Sequence, residues 1–178
     1  MTAAAARLQR MRVELPAVLA LGSNLGDREQ TLRDAVRAVA EIRGVTLVKA
    51  SGIVETPAVK PEGFDEDAPA YLNAVVLVRS ALHPRQLLAA LHEVEAAHGR
   101  VRAERWGDRT LDIDIVSLGG YRVDEPELTV PHPRAHERAF VLAPWLDVEP
   151  DAVIGSERVD ALLAATGETP ARYEADPL

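Results

Sequence analysis

The sequence predicts an α+β protein: an antiparallel sheet with helices on one face and additional pieces at the C-terminal end. Two patterns predict it. Strand-like and helix-like segments follow one another in the order β-α-β-β-α-β, and each helical segment carries one apolar stripe, so each has one face to bury. At 178 residues the chain is long enough for a single domain with a real core. Together these give a ferredoxin-like arrangement.

Residues 1–14 lack periodicity and read as a flexible tail, leaving 15–178 as the domain. Val18 to Leu21 form a first strand ending at Gly22. "GSNLGDREQ" is then a tight turn into a helix, with Asp27 as N-cap and Gln30 completing a capping box. The turn lacks the Lys-Ser/Thr of a P-loop and does not match G-x-G-x-x-G. Leu32, Ala35, Val36 and Val39 carry the helix to about Ile42, and Gly44 ends it. A second strand spans about Thr46 to Thr56, and "PAVKPEGFDEDAPA" reads as a long loop. "YLNAVVLVRSAL" is the third strand. His83-Pro84 opens a second helix, with Leu87, Leu88, Leu91 and Val94 on its stripe. An arginine-rich loop leads into the fourth strand, and "GGYRVDEPELTVPHP" reads as a hairpin. Phe140 to Leu146 read as an amphipathic turn or two, and Val159 to Ala165 as a weak terminal helix.

Composition narrows the function. Apolar residues make up 47% and charged residues 27%, a globular profile. No apolar run approaches the roughly 18 residues of a membrane span, and no h-region with a cleavage site marks a signal peptide. Cysteine is absent, which excludes disulfides, thiolate metal sites and cysteine nucleophiles; the cytoplasm is the expected compartment. A net charge of -8 argues against nucleic acid as a partner. The local exception is Arg100, Arg102, Arg105 and Arg109, a cationic patch that suits a small anionic ligand.

That patch precedes "RTLDIDIV", where Asp112 and Asp114 interrupt an apolar strand. Side chains alternate along a strand, so the two carboxylates share a face about 7 Å apart while Leu111, Ile113 and Ile115 take the other. A solvated strand face is the plain alternative. Like charges on a strand repel, and a divalent cation relieves that repulsion; Mg²⁺ is held by one or two carboxylates plus substrate phosphates. Arginines grip the same phosphates by forked hydrogen bonds. Carboxylates, metal and arginine are the equipment of phosphoryl transfer. Aromatics number only two Phe, three Tyr and two Trp. Tyr71 with Asn73 puts a ring and an amide on one side of a strand, a grip for a flat heterocycle. Phe140 reads equally as core. Glu95 lies at the edge of the second helix's stripe, where its carboxylate faces either the site or solvent. His132 and Arg138 stand alone in the pattern. Five histidines without H-E-x-x-H give no zinc site.

The combined set, "ALGSNLGD", "ETPAV", "YLNAVV", "EVEAAHGRVRAERWGDRTLDIDIV" and "LTVPHPRAHERAFVLAPW", resembles hydroxymethyl-dihydropterin pyrophosphokinases of folate biosynthesis over roughly residues 17 to 150. R-W-G-x-R-T-L-D-I-D-I followed by V-P-H-P is its most specific part. The resemblance implies an Mg-dependent transferase that moves pyrophosphate from ATP to 6-hydroxymethyl-7,8-dihydropterin and releases AMP. It implies that Asp112 and Asp114 bind two Mg²⁺ ions, and that Arg100, Arg109, His132 and Arg138 contact phosphates. Arg102 and Trp106 would sit on a mobile loop. Tyr71, Asn73 and Phe140 would form the pterin pocket, with Thr56, Pro57 and Val59 as its backbone wall. Glu95 would help organise the centre, and Ile115 and Thr129 would hold adenine by main chain. Asp108 and a shortened arginine loop depart from the family pattern. A monomer is expected. The alternatives are a metal-dependent nucleotidyltransferase, which also uses D-x-D, and a non-catalytic ferredoxin-like binding module.

Overall fold

The computed structural model describes residues 13–60, 63–65, 69–99 and 110–178. Its central strand, β1 (Leu15–Ser23), is longer than the sequence pattern suggests. Ala17, Leu19 and Leu21 are buried on one side of it and Val18 on the other, as befits a strand covered on both faces. It pairs antiparallel with β6 (Tyr71–Ser80) and with β7 (Asp112–Leu118).

Two helices cover the first face. At the start of α1 (Arg28–Glu41), Gly26 takes a left-handed φ of 68°, which turns the chain sharply after β1. Asp27 Oδ1 then accepts the Gln30 N–H at 3.1 Å. The capping box expected here is half made, because the Gln30 side chain donates onward to Asp34 at 3.0 Å. α2 (Pro84–Ala97) begins with Pro84, whose missing donor costs nothing at a first helical position, and Gln86 Oε1 accepts the His83 N–H at 3.1 Å. Leu32, Val36 and Val39 of α1 and Leu87, Leu91 and Val94 of α2 pack against Leu19, Leu21, Val76, Val78, Ile113 and Ile115.

The second strand is divided, not continuous. β2 (Val45–Ala50) and β3 (Val54–Thr56) both pair antiparallel with β6. Between them Ser51 bridges the ladder: its N–H donates to Val75 O, and its Oγ accepts the Val75 N–H, both at 2.9 Å. A side-chain oxygen thus stands in for a strand carbonyl. β10 (Val153–Ile154) and β11 (Glu157–Arg158) pair with each other, and β12 (Ala171–Arg172) extends the main sheet beyond β3. The order is β12-β3-β6-β1-β7, with β2 also on β6, so the sheet has more pieces than the four strands expected. The acidic, proline-rich segment read as loop contains β4 (Ala58–Lys60) paired with β5 (Gly63–Asp65). The later hairpin, β8 (Val123–Glu125) with β9 (Leu128–Val130), is where the pattern put it.

The larger correction concerns the second face. Residues read as a turn or two form α3 (Ala139–Val148), a ten-residue helix. Ala139, Val141, Leu142, Trp145 and Val148 are buried there with Val18, Val75 and Val116. Helices therefore lie on both faces. The reason is compositional: α3 is apolar around most of its circumference, so it needs the sheet on one side and α4 (Val159–Thr166) on another. α3 covers only part of its face. Past Val75 and Val116 that face continues with Tyr71, Asn73, Gly22, Asp112 and Asp114. No described helix is long and apolar enough to cross a membrane.

Ser51 is 2% exposed, so Ser51→Ala leaves the Val75 N–H buried without its acceptor. Urea unfolding should show a loss of about 1–3 kcal/mol; an unchanged midpoint would mean that the break in the strand needs no bridge.

Candidate active site

The acid pair is set by strand alternation. Asp112 lies opposite Gly22 and Asp114 opposite Ala20, while Ile113 and Ile115 point into the helix-side core at 3% exposure each. The register slips between Val18 and Leu19, leaving Val116 as an extra residue that turns toward α3.

Asp114 is the more constrained carboxylate. Arg138, the residue that opens α3, donates from Nη1 to Asp114 Oδ2 at 3.2 Å. His132 Nε2 lies 3.7 Å from the same oxygen. Burial, followed by the neighbouring charge of Asp112, pushes the Asp114 carboxyl above its usual range against the opposing pull of His132 and Arg138. Solvent still reaches 36% of the side chain, so ionisation remains accessible. On the imidazole, Nδ1 accepts the Arg134 N–H at 3.1 Å. We assign the neutral ring's proton to Nε2 from that bond, which aims an N–H donor at Asp114. Burial, the largest influence on His132, holds its pKa below the ordinary histidine value, with Asp114 acting in the opposite direction.

Glu95 does not face solvent. It is 1% exposed, and its Oε1 accepts the Ile113 N–H at 2.8 Å. β7 is the last strand of its sheet, so Ile113 presents that N–H outward, and Glu95 holds the strand edge midway between the two aspartates. Residues two apart along a strand direct their main-chain groups alike, so Ile115 presents its own outward too. They open into a cleft of about 280 Å³ between α2, the β7 edge and the β8–β9 turn. Leu88, His92, Glu95, Ile115, Thr129 and His132 line it, together with both aspartates. One turn on from β9, the His132 N–H donates to Val116 O at 2.9 Å and closes the cleft's far end.

On the other side of β1, Tyr71 and Asn73 project from β6 toward α3, on the face that carries Asp112 and Asp114. Asn73 Nδ2 donates to Thr56 Oγ1 at 3.0 Å, tying the amide to β3. Pro57 follows, exposed, and Val59 lies in β4. Phe140 sits in the first turn of α3, with the Arg138 guanidinium carbon 5.7 Å from its ring centre. Arg138 therefore touches both Phe140 and the acid pair.

The structure brings Asp112, Asp114, Glu95, Ile115, Thr129, His132 and Arg138 to one strand edge, with Thr56, Tyr71 and Asn73 across β1 and Phe140 against Arg138. Arg100, Arg102, Trp106, Asp108 and Arg109 lie outside the described residues. Sequence reasoning missed Leu88 and His92 as lining residues. Their signal was available, since they precede Glu95 by seven and three residues and share its helix face.

Asp114→Asn removes a charge that the fold disfavours. A carboxyl whose folded pKa is raised contributes stability at low pH and loses it as pH climbs through that pKa. The stability of the Asn variant relative to wild type should therefore rise as pH increases across the carboxylate range. Thermal melts at several pH values read this; a gap that shrinks with rising pH would reverse the sign.

Residues 18–150 match the family model described as 7,8-dihydro-6-hydroxymethylpterin-pyrophosphokinase. Among curated relatives, a 2-amino-4-hydroxy-6-hydroxymethyldihydropteridine pyrophosphokinase of Methylorubrum extorquens is 43% identical over 83% of this chain and 91% of its own length. One of the same name from Bacillus subtilis is 43% identical over 74% of this chain and 77% of its own. A solved wild-type HPPK-DHPS of Plasmodium falciparum superposes with a TM-score of 0.63 at 13% identity over 85% of this chain. This chain spans 44% of that longer one. The match of family model and relatives over the stretch that builds the acid pair and the cleft shows that the chain belongs to the hydroxymethylpterin pyrophosphokinase family.

Proposed function

We propose that the chain transfers pyrophosphate from ATP to the hydroxymethyl group of 6-hydroxymethyl-7,8-dihydropterin, giving AMP and the pterin pyrophosphate for folate biosynthesis. The observation that carries this is Arg138, which touches Asp114 on one side and Phe140 on the other. A charged-phosphate site and an aromatic-lined ring site thus meet at a single residue. We also read β2 and β3 as one strand interrupted at Ser51; β7-β1-β6-β2/β3 is then the ferredoxin-like order.

Two carboxylates on one face suit Mg²⁺, which takes its remaining ligands from phosphate and water. Among the described residues no group of three or more His, Asp or Glu forms a closed cage, consistent with that open donor set. Asp112 and Asp114 would hold two ions with the triphosphate. Bound there, Mg²⁺ supplies neutralisation of the phosphate charge. The residues do the rest. Thr129 and the Ile115 main chain take the adenine in the edge cleft. Arg138, His132 through Nε2–H, and Arg100 and Arg109 donate to phosphate oxygens, with Arg102 and Trp106 covering the nucleotide. Tyr71 and Phe140 sandwich the pterin against Thr56, Pro57 and Val59, while Asn73 reads its polar edge. The pterin hydroxyl oxygen bonds to the β-phosphorus and releases its proton to solvent, the bond from that phosphorus to the α–β bridging oxygen breaks, and AMP leaves with that oxygen. Catalysis consists of holding these groups in line and matching their charge.

The test mixes protein, Mg-ATP and the hydroxymethyl pterin and follows nucleotide products by chromatography. AMP should appear in equal amount to pyrophosphorylated pterin; free pyrophosphate would point to nucleotidyl transfer instead. Asp112→Asn should lower the rate by about a thousandfold or more, the scale of removing a group that stabilises transferring charge. Equilibrium binding separates the two pockets. Phe140→Ala should weaken pterin binding by about tenfold, roughly the 1.4 kcal/mol expected of one lost aromatic face, and spare a non-hydrolysable ATP analogue. Weakened nucleotide binding alone would place the ring pocket elsewhere.

A further inference from the structure

Three neighbouring strands align Asn73, Gly22 and Asp112 in one row across the site face, Asn73 opposite Gly22 on β6 and Asp112 opposite it on β7. A glycine inside a strand normally marks a bulge, a special backbone conformation, or a close approach of another group. The first two do not apply. Pairing runs in register through Gly22 on both sides, with the slip four residues earlier, and Gly22 is not among the glycines of positive φ. The third does: a Cβ built on Gly22 would lie 3.2 Å from Asn73 Oδ1 and 3.9 Å from Tyr71 Cδ1. The Asn73 amide leans across β1 into the space a side chain would fill, while its Nδ2 is tied back to Thr56.

We propose that Gly22 is a positioning residue for pterin. Its missing side chain lets the Asn73 amide extend over β1, and this orients the heterocycle's reacting arm toward the acid pair. Strands lie about 4.8 Å apart, so Asn73 and Asp112 are separated by roughly 10 Å of sheet with Gly22 midway. A ring read at Asn73 then places its hydroxymethyl group over Gly22, on the way to phosphates held at Asp112. The inference rests on the pyrophosphokinase reading above.

Gly22→Ala tests it, since alanine is compatible with this backbone and a strand favours it over glycine. The variant should keep a cooperative melt and bind the ATP analogue within twofold of wild type. Its pterin dissociation constant should rise about tenfold, as for a hydrogen bond pushed out of alignment. In an Asn73→Ala background the same substitution should cost no further pterin affinity. Unchanged pterin binding by Gly22→Ala would overturn the proposal, as would an equal loss in the Asn73→Ala background. If the wild-type protein itself fails to bind the pterin, the ring assignment falls first and this inference with it.

Discussion

Burying Leu111, Ile113 and Ile115 against α1 and α2 forces Asp112 and Asp114 onto the opposite side of β7, and the rest of the site follows from that pairing. Burial is the larger cost of a charge at Asp114, and the like charge of Asp112 on the same face adds to it. Arg138 and His132 offset this at the side-chain oxygen, while Glu95 holds the strand in place through the Ile113 N–H. These supports come from three separate elements. A shift of α2, of the residues after β9, or of the start of α3 would therefore register at the same pair of carboxylates.

α3 shows how packing sets the site's limits. It is driven onto the sheet by Val141, Leu142, Trp145 and Val148, which are buried with Val18, Val75 and Val116. Its length decides how much of that face remains open. The first turn begins where Arg138 reaches Asp114 and where Phe140 lies against the Arg138 guanidinium. The helix that completes the second core layer thus also walls the site.

Legibility in the sequence followed periodicity. The D-x-D strand, both helix stripes and the β8–β9 hairpin repeat with clean periods of two or 3.6, and they are where the pattern put them. α3 was harder, because "AFVLAPWLDV" is apolar all round and contains Pro144, so it offers no stripe and a breaker. The division between β2 and β3 was hidden as well: Ser51 restores one hydrogen bond through its side chain, and serine in a strand carries no such message. β4 and β5 lie in a stretch whose proline and acid content reads as loop. Partnerships across long separations, such as Glu95 with the Ile113 N–H or His132 with Asp114, have no local pattern and emerge only from the packed chain.

The extra residue at Val116 gives the edge cleft an unusual kind of permanence. Its carbonyl is claimed by the His132 N–H, so β7 cannot slide by one position without breaking that bond and turning both aspartates into the core. Ile115, next to this pin, offers the cleft its peptide groups, which every amino acid possesses. If a nucleotide is held there as proposed, core-filling substitutions at 115 would leave its main-chain contacts unchanged. On that proposed reading, selectivity on this side would be written in strand alignment instead of residue identity, and insertions or deletions would edit it where point substitutions would not.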